Sequence, residues 1–373
     1  MIYLDNAATS YPKPKSVVKS VTECLRSYCG NPGRSGHYFS IKTAEKIYEA
    51  RELVARLLNA DKAENVIFTA NATMALNYAI KGLVKPQSHC IVSDIEHNSV
   101  LRPLNKLKET IGVTYSTFNS DNSLEKEILP LIKNNTGYII STLSSNVTGK
   151  TLNFEELSRI ARENGLKLII DASQYAGHRK IDIECCPCDA ICSAGHKALF
   201  GIQGSGFLYL NDIENTVTTI EGGTGSASMN LSMPEHLPDK FEVGTLPSPS
   251  IISLKAGLDY IFKVGLSNVT NRLDHLTEYT YDILSSFKEV KIYGAENGII
   301  SFNIKDLSSL DCARMLSDEN IAVRGGFHCA PTIHDKLGTL THGAVRISYS
   351  YLNEKSDADR LYKAIKDICK IYL

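Results

Sequence analysis

From about residue 40 to residue 210, apolar runs of strand length alternate with segments of helical periodicity. That alternation restricts the chain to βαβ units around a mostly parallel sheet, so the fold class is α/β. Val66-Ile67-Phe68, Cys90-Ile91-Val92, Tyr138-Ile139-Ile140, Lys167 to Ile170, Ala190 to Ser193 and Gly206 to Leu210 read as strands. Thr43 to Leu58 reads as a helix with Ala44, Ile47, Ala50, Val54 and Leu57 on one face, and Thr73 to Leu83 as the helix after the first strand. Residues 220 to 250, rich in Gly, Ser and Pro, read as a long loop. Beyond it, Ile251 to Val264 reads as helix, and strands at Gly298 to Ile304 and Val345 to Tyr349 with helices between them imply a smaller α+β domain. The expected division is a large α/β domain at 15–255 and a small domain formed by 1–14 and 256–373.

A chain of 373 residues, 43% hydrophobic, is long enough for one large or two medium cores. Its formal net charge of -1, without a basic tract, argues against a nucleic-acid partner. No apolar run approaches the roughly 20 residues that span a bilayer, so no membrane partner is expected. Met1-Ile2-Tyr3-Leu4-Asp5 lacks the basic and apolar regions of a signal peptide, which sets the expected location in the cytoplasm. Ten cysteines in such a setting point to free thiols rather than disulfides. Cys185, Cys186, Cys188 and Cys192 lack the paired C-x2-C spacing of a zinc fold, so no metal is assigned. Cys192, Cys24, Cys29, Cys90, Cys312 and Cys369 are expected to be buried core thiols.

Chemistry concentrates in two stretches, Ile169-Ile170-Asp171-Ala172-Ser173-Gln174 and Ser193-Ala194-Gly195-His196-Lys197. A strand ending in Asp171 can set a carboxylate against the ring nitrogen of pyridoxal phosphate, and a lysine on a following turn can hold that cofactor covalently. Taken singly, Asp171 would cap a turn and Lys197 would be a solvated lysine. Lys197, however, follows the apolar run Ala190-Ile191-Cys192 and precedes Gly201, Gly204 and Gly206, where backbone must approach something closely. Ala70-Asn71-Ala72-Thr73 opens a helix whose free N–H groups and dipole favour a phosphate at Ala72 and Thr73.

Asp5-Asn6-Ala7-Ala8-Thr9, His97, Asp171 to Gln174, His196-Lys197, Gly244-Thr245 and Arg346 fall in the order found in the class V aminotransferases, which are enzymes of the pyridoxal-phosphate-dependent transferase fold type I. The resemblance spans nearly the whole chain. Arg324-Gly325-Gly326-Phe327-His328-Cys329-Ala330 resembles the cysteine segment of the group II cysteine desulfurases and selenocysteine lyases. This resemblance implies that Lys197 holds the cofactor and moves the Cα proton, that Asp171 meets its ring nitrogen, that Gln174 bonds its phenolic oxygen and that His97 stacks on its ring. His196 and Thr245 match further phosphate ligands, with Thr245 reaching across from a second subunit, which implies a homodimer. The family places a serine three residues before the lysine; here Ala194 stands there, and Ser193 as a phosphate ligand is left open.

Arg346 matches the arginine that binds a substrate carboxylate, a task suited to its fork of donors. Asn6 and Asn146 are expected in the same pocket, Asn146 also near the cofactor, with Arg324 and His37 near the mouth. Cys329 matches the sulfur-accepting cysteine, with His328 and Arg324 as the expected positive environment and Gly325-Gly326 as the source of a mobile loop. The implied activity is conversion of L-cysteine to L-alanine with a persulfide left on Cys329, to be passed to an acceptor protein or small thiol. Selenocysteine lyase activity, transamination or carbon-sulfur lysis of another amino acid, and a non-enzymatic binding role are the competing readings.

Overall fold

The protein was analysed as a computed structural model that describes residues 1–33, 35–226 and 228–371. Ala227, within the long loop, and the last two residues of the expected small domain lie outside the described residues. Seven strands form the central sheet, in the spatial order Val66–Thr69, Gly206–Leu210, Ala190–Ala194, Lys167–Asp171, Thr136–Thr142, His89–Ser93 and Thr114–Phe118. Gly206–Leu210 runs antiparallel to both of its neighbours, and the other pairings are parallel. Four of the strands are buried along their whole length and a fifth along all but one residue, which explains why they read as continuous apolar runs rather than alternating ones. Lys167–Asp171 shows the exception, its first residue being half-buried.

Helices cover both faces. Ile47, Ala50, Val54 and Leu57 of the helix Tyr38–Leu58 pack into one core with Ile91, Ile139, Ile170 and Ile191, while Leu76, Ala79, Ile80 and Leu83 of Ala72–Leu83 pack into a second with Val92, Ile140, Ile169 and Leu208. Successive strand residues therefore bury on opposite faces. A four-stranded antiparallel sheet, Arg324–Gly326, Ala344–Ser348, Ile299–Ile304 and Val290–Glu296, carries a separate core around Ile300, Phe302, Val345, Ile347, Leu361 and Ile365. The N-terminal Ile2–Tyr3 pairs in parallel with Ile321–Ala322 beside that sheet.

The helix after the long loop is Ser248–Val264, so it runs straight through residue 255, where the sequence placed a boundary. Leu254, Leu258 and Ile261 bury in the large core, and the chain turns at Gly265, whose φ of 89° suits glycine. The two bodies thus part near Gly265. Gly257 on this helix lies against backbone: a Cβ there would collide with the Leu199 carbonyl, two residues after Lys197. Helix propensity alone favours alanine over glycine by about 1 kcal/mol. Gly257→Ala is nevertheless expected to lower stability by more than about 1 kcal/mol, read as a reduced denaturation midpoint, because overpacking against backbone outweighs that gain. An unchanged or raised midpoint would show that the contact gives way freely.

Candidate active site

The parallel strands deliver their carboxyl ends to one place, where open α/β sheets bind ligands. Asp171 ends one strand, Asn146 follows the next, and His97 follows the third as N-cap of the helix Asn98–Ile111. Lys197 sits on the connection between Ala190–Ala194 and the antiparallel Gly206–Leu210. That connection is closed on itself, Gly195 N–H donating to Ser205 O at 2.9 Å and Gly201 N–H to Gly195 O at 2.8 Å. A Cβ on Gly195 would stand 2.5 Å from Ser205 Oγ and one on Gly206 2.7 Å from Asn71 C, which is the close backbone approach expected of this glycine cluster.

A cavity of about 230 Å³ opens between the two bodies. Ala72, Thr73, His97, Asn146, Asp171, Gln174, His196, Lys197, Arg324 and Arg346 all line it, so most of the residues singled out from sequence converge. Ser193 does not: it is buried in its strand with its hydroxyl toward Ala172 O. Asn6 lies behind the wall, its amide spent on Ser348 O (2.9 Å) and Asn353 Oδ1 (3.1 Å) and its oxygen on Tyr11 N–H (3.2 Å). Its neighbours Ala7 and Ala8 line the cavity instead. His37 and Thr245 are exposed and outside it, His37 capping the helix Tyr38–Leu58 through Ser40 N–H at 3.2 Å.

Lys197 Nζ makes no hydrogen bond or ion pair among the described residues, its carbonyl alone accepting Phe200 N–H at 3.0 Å; burial, with Arg346 and Arg324 nearby, pulls its pKa down to about 8 against the opposing pull of Asp171. A minor fraction is therefore free amine at pH 7, far more than an ordinary lysine offers, and that is the form a nucleophile needs. Asp171 is buried and accepts Ser173 N–H on Oδ1 at 2.9 Å. Gln174 donates to Ala7 O at 2.9 Å. His97 accepts Ser99 N–H on Nδ1 at 3.0 Å, which fixes its proton on Nε2, and burial plus Lys197 lowers its pKa to about 4. His196 is likewise lowered to about 4 by burial, Lys197 and Lys13, and its buried Nδ1 has no hydrogen-bond partner in the described structure.

Arg346 is 1% exposed. Nη2 meets Asp5 Oδ1 at 2.7 Å and Nη1 donates to Asn146 O at 2.8 Å, while Nε is buried with no partner in the described structure. Arg324 stands directly opposite Arg346 in the antiparallel pairing, giving the cavity two adjacent guanidinium groups. Asp5 had no role assigned from the sequence, and neither had Glu96. Burial, with Asp171 near, raises Glu96 to about 8, so it is largely protonated at pH 7; it accepts Thr142 N–H at 2.8 Å. A carboxylate directly preceding His97 was the available signal.

Cys329 is exposed at the rim, on a turn closed by Ala330 N–H to Phe327 O at 3.0 Å. The expected cationic role of His328 is corrected: burial and Arg346 drive its pKa down to about 2, so the ring is neutral. Gly325 and Gly326 are strand residues rather than a loop, and a Cβ on Gly325 would collide with Ser309 O, so this glycine permits packing against the helix Ser309–Asp318. Of the cysteines expected in the core, Cys29 is exposed because it follows the end of the helix Lys15–Ser27; Cys24, Cys90, Cys192, Cys312 and Cys369 are buried. Among the described residues no group of three or more His, Cys, Asp or Glu side chains is placed to hold a metal ion.

The chain belongs to the class V aminotransferase family, whose pattern matches residues 2–361 and whose members include pyridoxal-phosphate-dependent enzymes. A "Probable cysteine desulfurase" of Methanothermobacter thermautotrophicus is 32% identical over 98% of this chain and 94% of its own. The "Cysteine desulfurase" of Haloferax volcanii is 30% identical over 98% of this chain and 88% of its own. The solved apo structure of a cysteine desulfurase from Thermococcus onnurineus matches with a TM-score of 0.90 at 29% identity, covering 99% of this chain and 94% of that one.

The electrostatics of Lys197 are directly testable. In the cofactor-free protein, acylation of Lys197 followed by peptide mapping is expected to be half-maximal near pH 8 rather than at the ordinary lysine value of 10.5. Arg324→Met removes a cation that lowers this pKa and shifts the profile upward; Asp171→Asn removes an anion that raises it and shifts the profile downward. Shifts of the opposite sign would contradict the assignment of causes.

Proposed function

We propose that this protein is a pyridoxal-phosphate-dependent cysteine desulfurase that converts L-cysteine to L-alanine and receives the sulfur on Cys329. The observation that carries the reading is the convergence of Lys197, Asp171, His97 and Arg346 on one cavity with Cys329 at its rim. The residues fit the cofactor. His196 Nδ1 and Ser173 Oγ are buried without partners in the described structure, and the Ala72 and Thr73 N–H groups, at the start of a helix whose Asn71 cap accepts Met74 N–H instead, offer an anion site. When bound, pyridoxal phosphate supplies the electron sink that stabilises negative charge at Cα.

The protein's own groups divide the remaining tasks. Lys197 would hold the cofactor through its amine and would move the Cα proton of the substrate. Asp171 would meet the ring nitrogen, Gln174 and Asn146 would serve the ring oxygen and the substrate, and His97 would pack against the ring. Arg346, with Arg324 beside it, takes the substrate carboxylate on the guanidinium edge that Asp5 and Asn146 leave free. Cys329 Sγ attacks the substrate sulfur as the Cβ–S bond breaks, giving alanine and a Cys329 persulfide. That persulfide stands at an exposed turn, where an acceptor protein or small thiol reaches it.

The working form is a homodimer. Thr245 and His37 are exposed outside their own chain's cavity, and Tyr38, Phe39, Ile41 and Tyr48 expose apolar surface along the helix that His37 caps. This fits a second copy covering that helix while Thr245 serves the other cavity. All ten cysteines are free thiols, which suits the reducing cytoplasm.

With cofactor-loaded protein and L-cysteine, alanine and a Cys329 persulfide are expected together, and Cys329→Ser is expected to lose both. Lys197→Ala should abolish alanine formation. Arg346→Lys, with folding checked by circular dichroism, should raise KM by about 10- to 100-fold, since a point charge replaces a fork matched to a carboxylate. Absence of alanine from the loaded wild type would overturn the reading and turn attention to L-selenocysteine. Cys329→Ala that still releases selenide but not sulfide would show one scaffold serving both substrates.

A further inference from the structure

The turn that carries Cys329 is conformationally expensive. Phe327 to Ala330 is closed by the Ala330 N–H to Phe327 O bond, and both central residues have positive φ, 49° at His328 and 58° at Cys329. Turns with two central residues in that region are dominated by Gly, Asn and Asp, and a non-glycine residue there costs on the order of 1–3 kcal/mol. Histidine enters the left-handed region more readily than most residues, but a cysteine directly after it in the same region does not, so the surrounding structure must impose the pair.

Three hydrogen bonds do so, each from a different element. His328 Nε2 lies 3.0 Å from Ala344 O, in the strand Ala344–Ser348 of the small sheet. A carbonyl only accepts, so the ring donates from Nε2 and Nδ1 is bare; Nδ1 is buried with no partner in the described structure. The His328 carbonyl accepts Asn146 Nδ2 at 2.7 Å. The Cys329 carbonyl accepts Asn98 N–H at 2.8 Å, at the first turn of the helix Asn98–Ile111. The turn is thus tied on one side to the small body and on the other to the large one. Of the three ties, only the one to the small sheet runs through a side chain of the turn itself, and that side chain is 2% exposed.

We infer that His328 is a positioning residue for the sulfur-transfer step: its neutral ring, donating to Ala344 O, holds the left-handed turn that presents Cys329 Sγ at the cavity rim. This rests on the reading of Cys329 as sulfur acceptor. Nε2 carries a proton whether the ring is neutral or charged, so the donor to Ala344 O is present across the ordinary working range of pH. The role belongs to orientation, not to proton transfer, and is exerted from the cavity wall that His328 helps to form. Binding of the substrate amine and carboxylate falls to Lys197 and Arg346, on other elements.

The test compares His328→Gln, which keeps a donor at the reach of Nε2, with His328→Leu, which matches its bulk without a donor, and His328→Asn, whose donor falls short. Each is prepared as the cofactor-loaded enzyme. Three readouts are taken: L-cysteine binding from the cofactor's absorbance change, single-turnover persulfide formation on Cys329, and the rate of Cys329 alkylation by iodoacetamide. His328→Leu and His328→Asn are expected to bind L-cysteine as wild type does but to form persulfide about 10- to 100-fold more slowly, with an altered alkylation rate. His328→Gln should restore both. Wild-type persulfide and alkylation rates in His328→Leu, or a His328→Gln as impaired as His328→Leu, would overturn the inference. If His328→Leu fails to retain cofactor, the Gln-against-Asn contrast decides, equal alkylation in the two counting against the role. Failure of the underlying reading looks different: Cys329→Ser would then make alanine at the wild-type rate, while alkylation would still report whether His328 sets the turn.

Discussion

A guanidinium with almost no exposure to solvent, Arg346, is where the parts of this molecule meet. Its strand belongs to the small sheet, its Nη1 bond goes to Asn146 beyond a strand of the central sheet, and its ion pair goes to Asp5 in the N-terminal segment. Removing one partner of such a buried pair leaves an uncompensated charge, which costs far more than the pair itself gains. The arrangement therefore locks three stretches of chain into one geometry. Asp5 belongs to a strap: Ile2–Tyr3 pairs with the small body, Ala7 N–H donates to Ser348 Oγ at 2.8 Å, Gln174 reaches Ala7 O, and Ser10 N–H donates to His196 O at 3.1 Å. A few residues at the start of the chain thus connect Arg346 to the turn that carries Lys197.

The charge balance of the cavity follows from that packing. Burial holds His97, His196 and His328 neutral and lowers Lys197 to about 8, so the positive charge comes from the guanidinium groups of Arg346 and Arg324 together with a lysine that loses its proton readily. Glu96, raised to about 8, adds little negative charge at neutral pH. A cavity poised this way suits a ligand bringing carboxylate and phosphate while leaving an uncharged amine available for covalent chemistry.

What was legible in the sequence was what depends on one chain and one period. Strands buried on both faces leave apolar runs, and those runs gave the central sheet nearly residue for residue. The edge strand Thr114–Phe118 was not visible, because four of its five residues face partly or wholly to solvent and are Thr, Tyr and Ser. Motif order located the cavity-lining residues, but pattern alone could not show which side of a backbone a residue takes: Asn6 turned away while Ala7 and Ala8 faced in. Gly325-Gly326 looked like a hinge because glycine serves mobility and close packing with the same letter, and only the approach of Ser309 separates the two. His37 and Thr245, matched by motif order, lie exposed outside the cavity of their own chain.

The position of Cys329 carries a physical tension that the fold resolves. On the proposed reading its sulfur must meet a substrate held deep in the cavity and afterwards meet an acceptor outside it. A long mobile loop would serve both encounters but would lose orientational freedom at each turnover, a cost that preorganisation removes. The chain instead spends backbone strain on a four-residue turn at the rim, bonded to Asn98 and Asn146 on one body and to Ala344 on the other. Because Asn146 bonds both Arg346 and the His328 carbonyl, the group that would grip the carboxylate and the turn that presents the thiol share one residue. The distance between substrate carboxylate and attacking sulfur is thereby set by packed backbone rather than by the motion of a loop.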